Sequence, residues 1–76
     1  MNLNISSIDY IFGQTLRKIR EGHNMSQMEF ADYCGISLAY YGRVELGRHS
    51  LTVSACYKIS QALGIRLADL FSDLVE

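Results

Sequence analysis

The chain has 76 residues, 49% of them hydrophobic, with no proline or tryptophan, two cysteines and a net charge of −1. This length makes one domain, read here as residues 1–76, near the lower limit of what folds without a disulfide or a metal, and a second copy of the chain would add stability to so small a core. A membrane span is excluded because no stretch approaches the ~18 apolar residues it requires, and an enzyme is excluded because His23 and His49 have no partner carboxylate or cysteine at motif spacing, no glycine-rich phosphate loop is present, and so short a chain encloses no sizeable pocket.

The first seven residues, Met1-Asn2-Leu3-Asn4-Ile5-Ser6-Ser7, carry neither a basic region nor a long apolar run. No export signal is read there, so the expected location is cytoplasmic. Ser6 with Asp9 fits a capping box, which predicts a first helix beginning after Ser6 or Ser7 and running to about Glu21, where Gly22-His23-Asn24 ends it. Ile8, Phe12, Leu16 and Ile19 recur at three- and four-residue steps and make its inward stripe, with Met25 closing the corner beneath. Arg17 and Lys18 fall outside that stripe.

Two short helices joined by a tight turn follow. Ser26 and Ser37 each stand before a helix-like run, where a hydroxyl can accept from the free amides of the first turn, and Gly35 suits the left-handed residue between them. Ala31 allows close approach of the two helices, while Phe30, Ile36 and Val44 supply the apolar contacts that set their angle. The pattern is a helix-turn-helix, whose second helix can enter a major groove. Tyr41 falls inward with Val44; Leu38, Ala39, Tyr40, Gly42 and Arg43 face out. Gly42 costs about 1 kcal/mol relative to alanine inside a helix, which suggests close approach of DNA or of another helix.

Gly47 stops the third helix, Arg48-His49-Ser50-Leu51 forms a polar loop, and Thr52 caps a fourth helix with the stripe Val53, Cys56, Ile59, Ala62 and Leu63, ending at Gly64. A fifth helix places Leu67, Leu70, Phe71 and Leu74 on one face, the candidate homodimer interface together with parts of the fourth. No strand alternation occurs, so the fold class is all-α, with five helices. Cys34 and Cys56 lack metal-ligand spacing and read as small, reduced, half-buried apolar residues, so no metal or other cofactor is expected.

These residues resemble the Cro and phage-repressor helix-turn-helix family, also called the xenobiotic-response-element type. Beyond the motif, Phe12-Gly13-Gln14-Thr15-Leu16-Arg17-Lys18-Ile19-Arg20 looks like the family's first helix, Ile59-Ser60-Gln61-Ala62-Leu63-Gly64-Ile65 like its fourth and Leu67-Ala68-Asp69-Leu70-Phe71 like its last. The resemblance therefore covers residues 12–71 and implies a lambda-repressor-like DNA-binding domain. In the family the residue at Gln27 clamps a phosphate at the helix start. Arg48, His49 and Ser50 follow the recognition helix where members commonly touch phosphate or reach a groove; Arg17 joins the phosphate set, and Tyr40 could reach either a phosphate or a base edge. Arg43 could grip guanine O6 and N7, its alternatives being a phosphate contact or a solvated charge; Ala39 and Leu38 could meet thymine methyls. Arg20 and Glu45 match the family's ion pair between the first and recognition helices. Glu29 and Asp32 occupy positions where activating members present acid to RNA polymerase, solvated charges being the alternative.

The negative net charge is unusual for DNA binding, but its distribution is favourable. Arg43, Arg48, Lys58 and Arg66 face only Glu45 in the middle of the chain, whereas Asp69, Asp73 and Glu76 collect at its end. The expected function is a sequence-specific transcription regulator, binding double-stranded DNA as a homodimer on an inverted repeat whose half-sites lie roughly 34 Å apart. No small-molecule effector is expected. Tyr40 and the Ser50-Leu51-Thr52 approach to the fourth helix make the chain similar to the controller proteins of restriction-modification systems; a prophage Cro-like repressor and an antitoxin are the alternatives. A protein-interaction module that kept the fold without DNA binding is the competing class.

Overall fold

The structure is a computed structural model that describes residues 5–74. Five α-helices follow one another, α1 (Ile5–Gly22), α2 (Gln27–Cys34), α3 (Leu38–Glu45), α4 (Val53–Leu63) and α5 (Leu67–Leu70), before a 3₁₀ turn at Ser72–Leu74. No strand occurs among the described residues, in agreement with the all-α expectation. Met1–Asn4 and Glu76 lie outside the described residues.

Local chemistry sets most of the boundaries. Ser26 and Ser37 have extended backbones, and their hydroxyls accept from Glu29 N and Tyr40 N to start α2 and α3; Thr52 does the same for α4 through Ala55 N. Gly35 and Gly64 end α2 and α4 with φ of 73° and 68°, which glycine adopts without a Cβ penalty. Two boundaries differ from expectation. Ser6 and Ser7 lie inside α1, so neither has the non-helical backbone of an N-cap, and Asp9 accepts from the Ser50 hydroxyl at 2.7 Å instead of completing a capping box. The fifth helix is a single turn, because the chain tightens after Leu70 to bring the Asp73 carboxylate 2.6 Å from the buried Thr15 hydroxyl of α1.

The core joins Phe12 and Leu16 of α1 to Phe30, Ala31 and Cys34 of α2, Tyr41 and Val44 of α3, Cys56 and Ile59 of α4, and Leu70 of α5. Phe30 and Tyr41 pack with ring centroids 5.2 Å apart, and Phe12 stacks on Phe71 at 5.7 Å. Burial pushes the Cys34 thiol up to about 11, which keeps it protonated and unreactive. Neither cysteine is in a disulfide.

Several apolar assignments change. Val53 is 77% exposed, and Ala55, Cys56, Ile59 and Ser60 form the buried face of α4. Val53, the first residue of α4, borders an open apolar depression with Ile8, Phe12, Leu51, Phe71 and Leu74. Ile8 stands at its rim and not in the interior. Leu70 is 0% exposed within the chain itself, which removes it from any contact surface, while Leu67, Phe71 and Leu74 are only partly covered. Gly42 is not a helix contact either, since a Cβ there would meet only Gln27 Oε1 at 3.8 Å. The close approach occurs at Gly13, where a Cβ would stand 2.4 Å from the Val44 carbonyl oxygen, and at Gly47, where it would stand 2.8 Å from Tyr10 Cα.

The Tyr41 ring is fully buried, yet its hydroxyl has no hydrogen-bond partner among the described residues. Burial above all, and then the Glu45 carboxylate nearby, push its pKa far up, so the group stays neutral. A buried hydroxyl without a partner loses its hydration and gains nothing in return. Tyr41→Phe is therefore expected to raise stability by about 1 kcal/mol in urea unfolding. A loss of that size would show that the hydroxyl is bonded.

Candidate nucleic-acid interface

The turn at Gly35 presents α2 and α3 as a rigid corner, and three side chains lock α3 to the rest. Arg20, on α1, donates from Nε to Glu45 Oε2 at 2.9 Å and from Nη2 to Glu45 Oε1 at 2.8 Å, a two-pronged contact that matches the planar guanidinium to the carboxylate. Its Nη1 donates to the Met25 carbonyl at 2.9 Å, tying the α1–α2 corner into the same network. Gln27, at the start of α2, donates from Nε2 to Glu45 Oε1 at 3.0 Å. Burial opposes the charge on Glu45, but the hydrogen bonds of Arg20 and Gln27, with the polar Tyr41 hydroxyl close by, outweigh it, and the carboxyl titrates below its ordinary range. The hydrogen bond to Glu45 raises the Arg20 pKa in turn. Sequence reasoning paired Arg20 with Glu45; it missed Gln27 as their third member, for which no spacing rule across 18 residues exists.

On α3, Leu38 is 44% exposed, and Ala39 and Arg43, one turn apart, are both exposed. Gly42 between them leaves the helix surface low. Among the described residues, Leu38, Ala39 and Arg43 form one solvent-facing side of α3.

The loop after α3 is tied down from two directions. The Tyr40 hydroxyl donates to the Ser50 carbonyl at 2.8 Å, and the Ser50 hydroxyl donates to Asp9 on α1 at 2.7 Å. His49 stands edge-on to the Tyr40 ring, centroids 5.1 Å apart, with Nδ1 3.1 Å from the same carbonyl. Each hydroxyl has one proton, and both protons are used inside the molecule. Tyr40 and Ser50 thus act as loop ties in this structure, which revises their assignment as phosphate donors. Arg48 and His49 are the exposed basic side chains that those ties hold beside α3. Arg17, on α1, is exposed and makes a surface ion pair with Glu21 at 3.3 Å, an interaction too weak to hold it there.

The outer face of α2 differs in chemistry. Glu29 accepts from the Ser26 backbone N–H at 2.8 Å while the Ser26 hydroxyl accepts from Glu29 N, and this capping contact lowers the Glu29 pKa. Glu29 is therefore engaged locally, whereas Asp32 is exposed beside Met28 and Tyr33, large side chains that also face solvent. Met28 and Tyr33 were not expected as part of this patch; their exposed places follow from the positions of Phe30, Ala31 and Cys34 on the opposite, buried side of α2.

No group of histidine, cysteine, aspartate or glutamate among the described residues could hold a metal ion. No helix among them is long and apolar enough to cross a membrane.

Comparison with known proteins gives consistent relatives. The helix-turn-helix family model (HTH_3) matches residues 16–70. The chain is 37% identical over 71 residues to control protein C.MunI of Mycoplasma sp, spanning 92% of this chain and 96% of that one. It is 36% identical over 66 residues to control protein C.BamHI of Bacillus amyloliquefaciens, spanning 86% and 82% respectively. Among solved structures, the restriction-modification controller protein C.AhdI from Aeromonas hydrophila superposes with a TM-score of 0.82 at 30% identity, covering 91% of this chain and 100% of that one.

Proposed function

The chain belongs to the helix-turn-helix family, and on that premise we propose that it is a sequence-specific transcription regulator of the restriction-modification controller type, cytoplasmic, binding an inverted-repeat operator as a homodimer. The observation that carries this reading is the solvent-facing side of α3, Leu38, Ala39 and Arg43, held by Glu45 and Arg20 at a fixed angle to α1. Arg43 reads a base edge, and Ala39 and Leu38 meet thymine methyls. Gln27, Arg48, His49 and Arg17 contact phosphates and set the register. Tyr40 and Ser50 support this indirectly, by fixing the loop that carries Arg48 and His49.

The homodimer surface is moved from the face first expected. With Leu70 buried, the apolar area available is the depression bordered by Ile8, Val53, Phe71 and Leu74, with Leu67 beside the core. Two linked copies bind two half-sites with far higher avidity than one, which compensates for a chain of net charge −1. Asp32, Met28 and Tyr33 on α2, with Glu29, are the surface offered to RNA polymerase. Names and near full-length coverage of the control proteins favour the controller reading over a prophage repressor or an antitoxin.

A gel-shift titration against the DNA immediately upstream of this protein's own gene, at two salt concentrations, tests the function. Specific binding that weakens with salt is the expected result. Arg43→Ala is expected to lose about tenfold of the discrimination at one base pair of each half-site while keeping non-specific affinity, and Gln27→Ala to weaken all sequences alike. No DNA binding by a folded chain would move the protein-interaction module to first place.

A further inference from the structure

Glu45 is 5% exposed and accepts three hydrogen bonds, two from Arg20 and one from Gln27 Nε2. Arg20 comes from α1, Gln27 from the first turn of α2 and Glu45 from the end of α3, so one carboxylate joins all three helices. An ionised carboxylate only accepts, and it therefore selects the nitrogen end of the Gln27 amide. The oxygen end then lies toward Gly42, where a Cβ would stand 3.8 Å from Oε1. Gly42 has no side chain to cover the amide, and of the two protons on Nε2 the bond to Glu45 uses one.

We propose that Glu45 is a positioning residue for DNA binding, which orients the Gln27 amide so that its second Nε2 proton and the start of α2 present themselves together to one DNA phosphate. The inference rests on the phosphate contact proposed for Gln27 above. Arg20 immobilises the carboxylate through two bonds and the carboxylate immobilises the amide. The last torsion of an unrestrained glutamine is broad and two-fold, so an isolated Gln27 would present oxygen to the phosphate about as readily as nitrogen. Here the wrong orientation is removed before DNA arrives, and ordering on binding takes less side-chain entropy.

Side-chain amide exchange of the wild-type full chain, followed by NMR alone and with the upstream duplex, tests this without a substitution. One Gln27 Nε2 proton is expected to exchange slowly in the free protein, and the second to slow only when DNA is added. Fast, equal exchange of both protons in the free protein overturns the proposal. Duplex titrations then form a double-mutant cycle, with the folded fraction of each variant matched by circular dichroism. Glu45→Gln is expected to raise Kd about tenfold in the wild-type background and to leave the Kd of Gln27→Ala unchanged. Equal losses in both backgrounds would mean that Glu45 acts on the fold alone; the positioning role then fails while the regulator stands. A wild-type chain that binds no duplex overturns the regulator and this inference together. If Glu45→Gln does not fold, the wild-type exchange measurement decides.

Discussion

Glu45→Ala is expected to lower stability by about 3 kcal/mol in urea unfolding at neutral pH, because it leaves the Arg20 guanidinium inside the structure without its counter-charge. Arg20 keeps its bond to the Met25 carbonyl, but a single neutral acceptor does not replace two charge-assisted bonds. A domain of 76 residues has only a few kcal/mol to lose, so a large fraction of the variant should be unfolded at 37 °C. The pH dependence has a definite sign. Glu45 titrates below its ordinary range in the folded state, so its contribution is fully present above the unfolded carboxylate value near 4.3 and is lost as pH falls through the lower, folded value. The stability gap between wild type and Glu45→Ala should therefore be constant above about pH 5 and narrow in acid. Superimposable urea curves, equal in midpoint and slope, would show that the pair contributes nothing.

Gly13→Ala is expected to destabilise by about 2 to 3 kcal/mol, although alanine is the better helix former. The propensity gain is at most about 1 kcal/mol. Against it, the new Cβ would stand 2.4 Å from the Val44 carbonyl oxygen and 2.7 Å from that of Glu45. Backbone oxygens cannot rotate aside as a flexible side chain can, so α1 and α3 must separate and the Arg20 contact to Glu45 must stretch. Operator affinity should fall further than the unfolded fraction explains, since α3 is re-aimed in the molecules that remain folded. Gly22→Ala is the control: nothing lies within 4 Å of its Cβ, and it should stabilise by a few tenths of a kcal/mol. Equal behaviour of the two alanine variants in thermal unfolding would show that the α1–α3 contact is looser than described.

The parts of this molecule that were legible in sequence are those whose causes lie within a few residues. Ser26, Ser37 and Thr52 start helices because a hydroxyl satisfies an amide three residues on, and Gly35 and Gly64 end them because a left-handed residue there needs no Cβ. The inward placing of Phe30, Ala31, Tyr41 and Val44 follows from helical periodicity alone. The pairing of Arg20 with Glu45, 25 residues apart, was not legible from spacing; only the resemblance to a known family supplied it.

What tertiary structure alone decided is where each stripe meets a neighbour and which polar groups find one another. Val53 has the right period for the core, but no packed neighbour closes over it at the border of the open depression, so the residue is exposed. Leu70 and Phe71 are adjacent, yet one is fully buried and the other stands on the rim, because a one-turn helix gives way to the 3₁₀ turn that Asp73 and Thr15 hold against α1. Gly13 carries no sign in sequence that α3 crosses over it. Periodicity and caps are properties of a helix taken by itself, and they determined that this chain makes five helices with a helix-turn-helix at their centre. The crossing of α1 with α3, the orientation of the Gln27 amide and the site of the apolar depression depend on contacts between residues distant in the chain, and those exist only once the helices have packed.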